Sequence, residues 1–185
     1  LWKKDTAETG LCKRKRIKHH QGYKIFLGGA GIGSIVAECA LKLGFEHITI
    51  VDGDKVERSN LNRQNYTEND IGRYKAECLT ERLQSINPDA QIDFHTEFLT
   101  PDNIKEMLNG YDVAINALDF KDKTPFVFDE ICKERKIPVL HPYNFGWAGF
   151  VTVVDPLGHS LSEQTEEPKG FELKVAEYVT GHGAF

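Results

Sequence analysis

A chain of 185 residues is long enough for one α/β domain with a sizeable core and too short for two full ones. Its 23 Lys and Arg stand against 28 Asp and Glu, a net charge of −5, and are mostly interspersed with them, which argues against a general nucleic-acid or membrane binder and leaves room for a local phosphate site. No apolar run approaches the roughly 18 residues of a membrane helix, and the polar, basic start lacks the apolar segment of a signal peptide, so the chain reads as cytoplasmic.

Residues 1–22 carry Lys13-Arg14-Lys15-Arg16 and Lys18-His19-His20 with little apolar periodicity, and read as a solvated basic arm. Lys24-Ile25-Phe26-Leu27 is a short apolar strand ending in Gly28-Gly29-Ala30-Gly31-Ile32-Gly33. Ile35, Val36, Cys39, Ala40 and Leu43 then follow helical spacing up to Gly44, a helix-terminating glycine, and His47 to Val51 forms a second strand with Asp52 at its end. Strand, glycine turn, helix and strand make a βαβ unit.

Ala76, Leu79, Leu83 and Ile86 predict a helix stopped by Asn87-Pro88, and Gln91 to His95 a third strand. Thr100-Pro101 predicts a short helix running to Gly110, with a cap and a proline at its first position. Tyr111 to Leu118 reads as a strand buried on both faces, followed by a helix at Thr124 to Lys136 and strands at Ile137 to Leu140 and Phe150 to Val154. Beyond Leu157 a polar stretch precedes a helix at Phe171 to Val179. The expected fold is Rossmann-like α/β, a doubly wound, mostly parallel sheet with helices on both faces over residues 23–156. Residues 157–185 form a crossing segment, and a start at Leu1 suits a piece of a longer chain.

In such a sheet ligands bind outside the carboxyl ends of the strands, where four suggestive elements fall. The glycines Gly28, Gly31 and Gly33 allow close backbone approach to a phosphate at a helix N-terminus. Asp52, nineteen residues beyond Gly33 and close to Asp54, suits ribose hydroxyls, which serves NAD and ATP equally. The segment Ser59-Asn60-Leu61-Asn62-Arg63-Gln64 adds amides and a guanidinium, and Lys75 a second cation, which together favour a polyphosphate. Asp119 closes the set at the end of a later strand.

In this order, with Gly72-Arg73-Tyr74-Lys75 and Ile86-Asn87-Pro88 between, the sequence resembles the ThiF/MoeB/HesA/E1-like superfamily of adenylating enzymes, which activate ubiquitin-like and sulfur-carrier proteins. The resemblance covers about residues 23–156, and S-N-L-x-R-Q is its most specific part. It implies that Asp52 holds the ribose, that Asn60, Arg63 and Lys75 hold the phosphates of ATP, and that Asp119 holds Mg²⁺. It further implies a homodimer acting on a carrier protein with a C-terminal Gly-Gly. Three departures stand out: Ala30 in the glycine turn, Phe120 where an amide often follows the metal aspartate, and no C-x-x-C pair, so no zinc is expected. The family's N-terminal arginine element is not visible, and Arg14 and Arg16 read as solvated tail.

The implied reaction is attack of a carboxylate on the α-phosphorus of MgATP, and a terminal carboxylate of pKa about 3.5 needs no general base. Cys12, Cys39, Cys78 and Cys132 are far apart; the last three fall on helical faces as buried thiols, and none is expected to carry a thioester. Three alternatives stay open. They are an ATP-dependent tRNA-base dehydratase of the same superfamily, which Phe98 to Asn103 resembles, an NAD(P)-dependent oxidoreductase, and a non-catalytic module keeping the fold.

Overall fold

The computed structural model describes residues 20–146, 148–163 and 167–181. Apolar runs that stop at glycine or aspartate become strands, and the amphipathic stretches between them become helices. In chain order these are β1 (Lys24–Gly28), α1 (Gly33–Lys42), β2 (His47–Val51), α2 (Lys75–Ile86), β3 (Gln91–His95), α3 (Ile104–Met107), β4 (Val113–Asn116), α4 (Thr124–Glu134), β5 (Val139–Asn144), β6 (Gly149–Val154) and α5 (Phe171–Gly181). The sheet order is β3-β2-β1-β4-β5-β6, parallel except for β6, which runs antiparallel to β5. This is the expected doubly wound arrangement, with the strand order reversing between β1 and β4.

Strand alternation sorts the core into two layers. Ile25, Leu27, Ile48, Ile50 and Ile115 pack with Ala37 and Leu41 of α1 and with Ala76, Leu79 and Leu83 of α2. Phe26, Val51 and Ala114 point the other way, onto Ile104 and Leu108 around α3, Phe126, Phe128 and Ile131 of α4, and Phe171 of α5. Helices therefore cover both faces. Among the described residues no helix is long and apolar enough to cross a membrane.

Four sequence expectations are corrected. First, α1 buries Ser34, Ala37 and Leu41, while Ile35 and Leu43 are exposed and Cys39, expected on the apolar face, faces outward. Small side chains let this helix lie close to the sheet just after the glycine turn, which the larger set does not allow. Second, the helix expected from Thr100 to Gly110 is one turn. The Thr100 amide donates to Asn103 Oδ1 at 2.8 Å and the Asn103 amide to Thr100 Oγ1 at 3.4 Å, a reciprocal cap that spends residues 100–103 on a turn. Third, the strand expected over Tyr111 to Leu118 forms only at Val113–Asn116, its flanks being spent on turns.

Fourth, β5 extends to Asn144 despite Pro142. Its pairing with β4 ends at Leu140, so beyond that point only β6 is its neighbour and the missing proline N–H costs no bond on the β4 side. The expectations for Cys12, Arg14 and Arg16 lie outside the described residues.

Candidate functional site

A cleft of about 680 Å³, within the range of small-molecule sites, opens at the carboxyl ends of the strands around the β1/β4 switch point. Gly31, Asp52, Asp54, Asn60, Arg63, Gln64, Lys75 and Asp119 all line it. Gly28, Gly33 and Ser59 do not. Gly28 belongs to β1, where a Cβ would meet Leu99 and Phe128, Gly33 starts α1 against Leu27, and Ser59 donates from its hydroxyl to Glu57 on the outside of its loop. The positive φ that the turn requires is at Gly29, at +91°, where a Cβ would come within 2.5 Å of the Ala117 carbonyl oxygen.

The β1–β2 side is built from buried polar bonds. The Asp52 carboxylate accepts the Ala30 amide at 2.6 Å and the Asp54 amide at 2.7 Å, stapling the glycine turn to the end of β2. Burial raises its pKa, and these two amides pull it back. The Tyr66 hydroxyl donates to the Ala30 carbonyl at 2.7 Å, and burial pushes its pKa up, so it remains a donor. Ala30 is thus fully used through its backbone at a φ that needs no glycine, with its Cβ in the core, which explains the first departure.

The segment around Lys55 bridges to Tyr74, and the Lys75 amide donates to the Asp54 carbonyl at 2.9 Å. This places the buried Lys75 Nζ 2.9 Å from Asp54 Oδ2 at the floor of the cleft. Asn60 Oδ1 accepts the Glu57 amide at 2.9 Å, and the Arg63 guanidinium donates to the Ser59 carbonyl at 2.7 Å, so the segment folds on itself before any ligand arrives. Gln64 Oε1 is buried with no partner. An orphaned acceptor here fits a donor brought by a ligand, such as a ribose hydroxyl or a base amine.

The β4–β5 side is held by apolar packing and exposed charges. Phe120 is 7% exposed and packs on Phe126, Phe171 and Tyr143, with ring centroids 5.6, 4.6 and 6.4 Å away. The second departure is therefore a core residue that draws the start of α5 to the cleft, where Glu172 joins the lining. Asp119 is exposed and paired with Lys121 Nζ at 2.8 Å, a contact that raises the lysine pKa. Among the described residues no three His, Cys, Asp or Glu side chains are grouped to hold a metal. A single exposed carboxylate nevertheless fits Mg²⁺, which takes one or two carboxylates and fills its remaining positions with water and phosphate oxygens. Asp119 is the residue that would hold it.

Some lining residues lie outside the predicted site set. Phe98, 62% exposed, lies over Gly53, and Asn116 ends β4 inside an apolar run. Asn116 Nδ2 donates to the fully buried Asp129, which also meets His141 Nε2 at 2.9 Å, so a polar chain underlies the Asp119 loop. Its signal is a lone aspartate on the apolar face of a helix. Cys78 and Cys132 are buried, and burial pushes Cys78 up to about 11 and Cys132 up as well. The exposed Cys39 is not in the cleft lining.

The sequence model of the ThiF family matches residues 6–179. The tRNA threonylcarbamoyladenosine dehydratase of Escherichia coli is 32% identical over 160 residues, covering 78% of this chain and 58% of that protein. The sulfur carrier protein ThiS adenylyltransferase of Bacillus subtilis is 31% identical over 153 residues, or 81% of this chain and 45% of that one. The crystal structure of the E. coli dehydratase in complex with ATP superposes with a TM-score of 0.66 at 32% identity, covering 69% of this chain and 54% of that one. The chain thus spans about half the length of these relatives.

Proposed function

The chain belongs to the ThiF family, and from that membership we propose that it catalyses ATP-dependent adenylation of a carboxylate with release of pyrophosphate. The support is the convergence in one cleft of the Asp52-stapled glycine turn, the amides of Asn60 and Gln64, the cations Arg63 and Lys75, and Asp119. An NAD-dependent oxidoreductase shares the first βαβ unit but gives those two cations no task.

In the reaction a carboxylate oxygen attacks the α-phosphorus, the α–β phosphoanhydride bond breaks, and pyrophosphate leaves. The carboxylate is already ionised at neutral pH, so the site needs no general base. Asp52 and Gln64 bind the nucleoside, and the glycine turn at the partly positive N-terminal end of α1 faces the phosphates. Arg63 and Lys75 stabilise charge on the phosphoryl oxygens and the leaving group, an effect worth most when the donors are fixed in advance. Asp119 would hold Mg²⁺, which would supply further charge neutralisation on the triphosphate.

For the acceptor we favour the Gly-Gly tail of a ubiquitin-like or sulfur-carrier protein, bound to a cytoplasmic homodimer. On the β4–β5 side of the cleft Asp122 and Glu172 stand beside the Asp119–Lys121 pair and discourage a polyanionic acceptor. A second reading is a carboxylate carried by a modified tRNA base, favoured by the identity to the dehydratases. Pyrophosphate exchange into ATP, assayed in parallel with carriers ending in Gly-Gly and with tRNA bearing threonylcarbamoyladenosine, separates the two. Exchange that depends on one acceptor identifies it, and nucleotide binding without exchange in either assay leaves only a non-catalytic module.

A further inference from the structure

Among the described residues Arg63 is anchored only within its own segment, to the Ser59 carbonyl and to Asn62 Oδ1 at 3.1 Å. Its place relative to the glycine turn is therefore set by whatever holds that segment as a body. At its far end the hold on the glycine turn is the Tyr66 hydroxyl, on the Ala30 carbonyl, and the hold on α1 is Asn65. The Asn65 amide donates to Ser34 Oγ at 3.2 Å, and the same hydroxyl donates to the Gly31 carbonyl at 2.7 Å. The Asn65 side-chain amide donates to Glu38 Oε2, one turn further along α1.

Glu38 is itself fixed from two helices. Its Oε2 also accepts Arg82 Nε of α2 at 2.6 Å, its Oε1 accepts Lys42 of α1, and its side chain is only 13% exposed. The two ion pairs stay within α1 or tie α1 to α2, outside the cleft. Of the Glu38 bonds among the described residues, only that to Asn65 reaches the segment that carries Arg63 and Gln64.

We propose that Glu38 and Asn65 are a positioning pair, neither touching the substrate, that sets Arg63 and Gln64 against the phosphate-facing start of α1. The proposal rests on the nucleotide reading of the cleft. A bond between an amide and a held carboxylate is worth enough that its loss should weaken MgATP binding by about tenfold or more.

The test is the equilibrium Kd for MgATP by isothermal titration, with thermal unfolding recorded for each variant. Asn65→Asp sets two carboxylates against each other and should weaken binding by about tenfold or more; Asn65→Ala, free of that repulsion, should do the same and serves if the first variant does not fold. In an Arg82→Ala background, which clears the second donor from Glu38 Oε2, the exchange Glu38→Gln with Asn65→Asp reverses donor and acceptor across the contact and should bind within about threefold of Arg82→Ala alone. Lys42→Ala removes an ion pair of Glu38 without touching Asn65, so Tm falls while Kd stays within about twofold. A folded Asn65 variant with parental affinity, or a folded exchange variant in the Arg82→Ala background as weak as Asn65→Asp alone, overturns the positioning role and leaves the nucleotide reading standing. A parent protein that does not bind MgATP removes both.

Discussion

The two sides of the cleft are held by different forces. On the β1–β2 side, Asp52, Tyr66 and Lys75 are buried or nearly so, the first two locked by short bonds to the backbone of the glycine turn and the third paired with the Asp54 carboxylate. On the β4–β5 side the polar groups Asp119 and Lys121 are 72% and 81% exposed, above an aromatic cluster centred on Phe120. The first side is organised before a ligand arrives. On the second, an exposed ion pair worth about 0–1 kcal/mol costs little to exchange for another partner. A nucleotide pocket gains from the first design, and a place where metal and acceptor come and go gains from the second.

The sharpest way to break this contrast is to remove a charge from each side. Asp119→Ala should abolish Mg²⁺-dependent pyrophosphate exchange, and Arg63→Ala should lower it by about 10²-fold or more, the scale of losing one preorganised donor. Tm should barely move for either, since both side chains lie outside the core. Unchanged exchange in either variant would remove that residue from its role.

Stability should follow the other half of the contrast. Phe120→Ala empties the centre of the aromatic cluster and should cost about 3–5 kcal/mol in denaturant unfolding, while MgATP affinity changes only a few-fold because the β1–β2 side is untouched. Tyr66→Phe strips the Ala30 carbonyl of its partner and should cost about 1–3 kcal/mol, with weaker nucleotide binding as the turn relaxes. If the nucleotide Kd responds to Phe120→Ala and not to Tyr66→Phe, the division of labour between the sides is wrong.

The smallest effect concerns pH. The Lys42 ammonium, then Arg82 and Asn65, hold the Glu38 carboxyl at about 2, below its ordinary 4.5. A depressed carboxylate contributes stability that is full above its unfolded pKa and fades as pH falls through the folded one. Glu38→Gln should therefore flatten the acid loss of stability between pH 4.5 and about 2 in unfolding measurements. An unaltered acid slope would show that the network carries no such linkage.

Much of this architecture was legible before any coordinates. Strands β2 and β3 and helix α2 lie where their runs and stops predict, because the central β2 is a nearly continuous apolar run, the edge strand β3 alternates polar and apolar residues, and Asn87-Pro88 cannot continue a helix. The candidate site was legible where chemistry is written as a local pattern, as in Asp52-Gly53-Asp54 and Ser59 to Gln64. What escaped depends on partners far apart in sequence. The inward face of α1 is set by how closely a helix approaches the sheet, and the length of β5 by a neighbouring strand. The pairing of Asp129 with His141, and of Glu38 with Asn65 and Arg82, joins residues that no spacing rule connects.

The central claim is that the cleft is an adenosine triphosphate site rather than a dinucleotide site, since the cations proposed to meet the phosphates, Arg63 and Lys75, both line it and a nicotinamide ring would offer them no charge to meet. Isothermal titration of the same protein with MgATP and with NAD⁺ tests it most directly. Saturable heat with MgATP and none with NAD⁺ is the predicted result. Tight NAD⁺ binding with no heat from MgATP would contradict it.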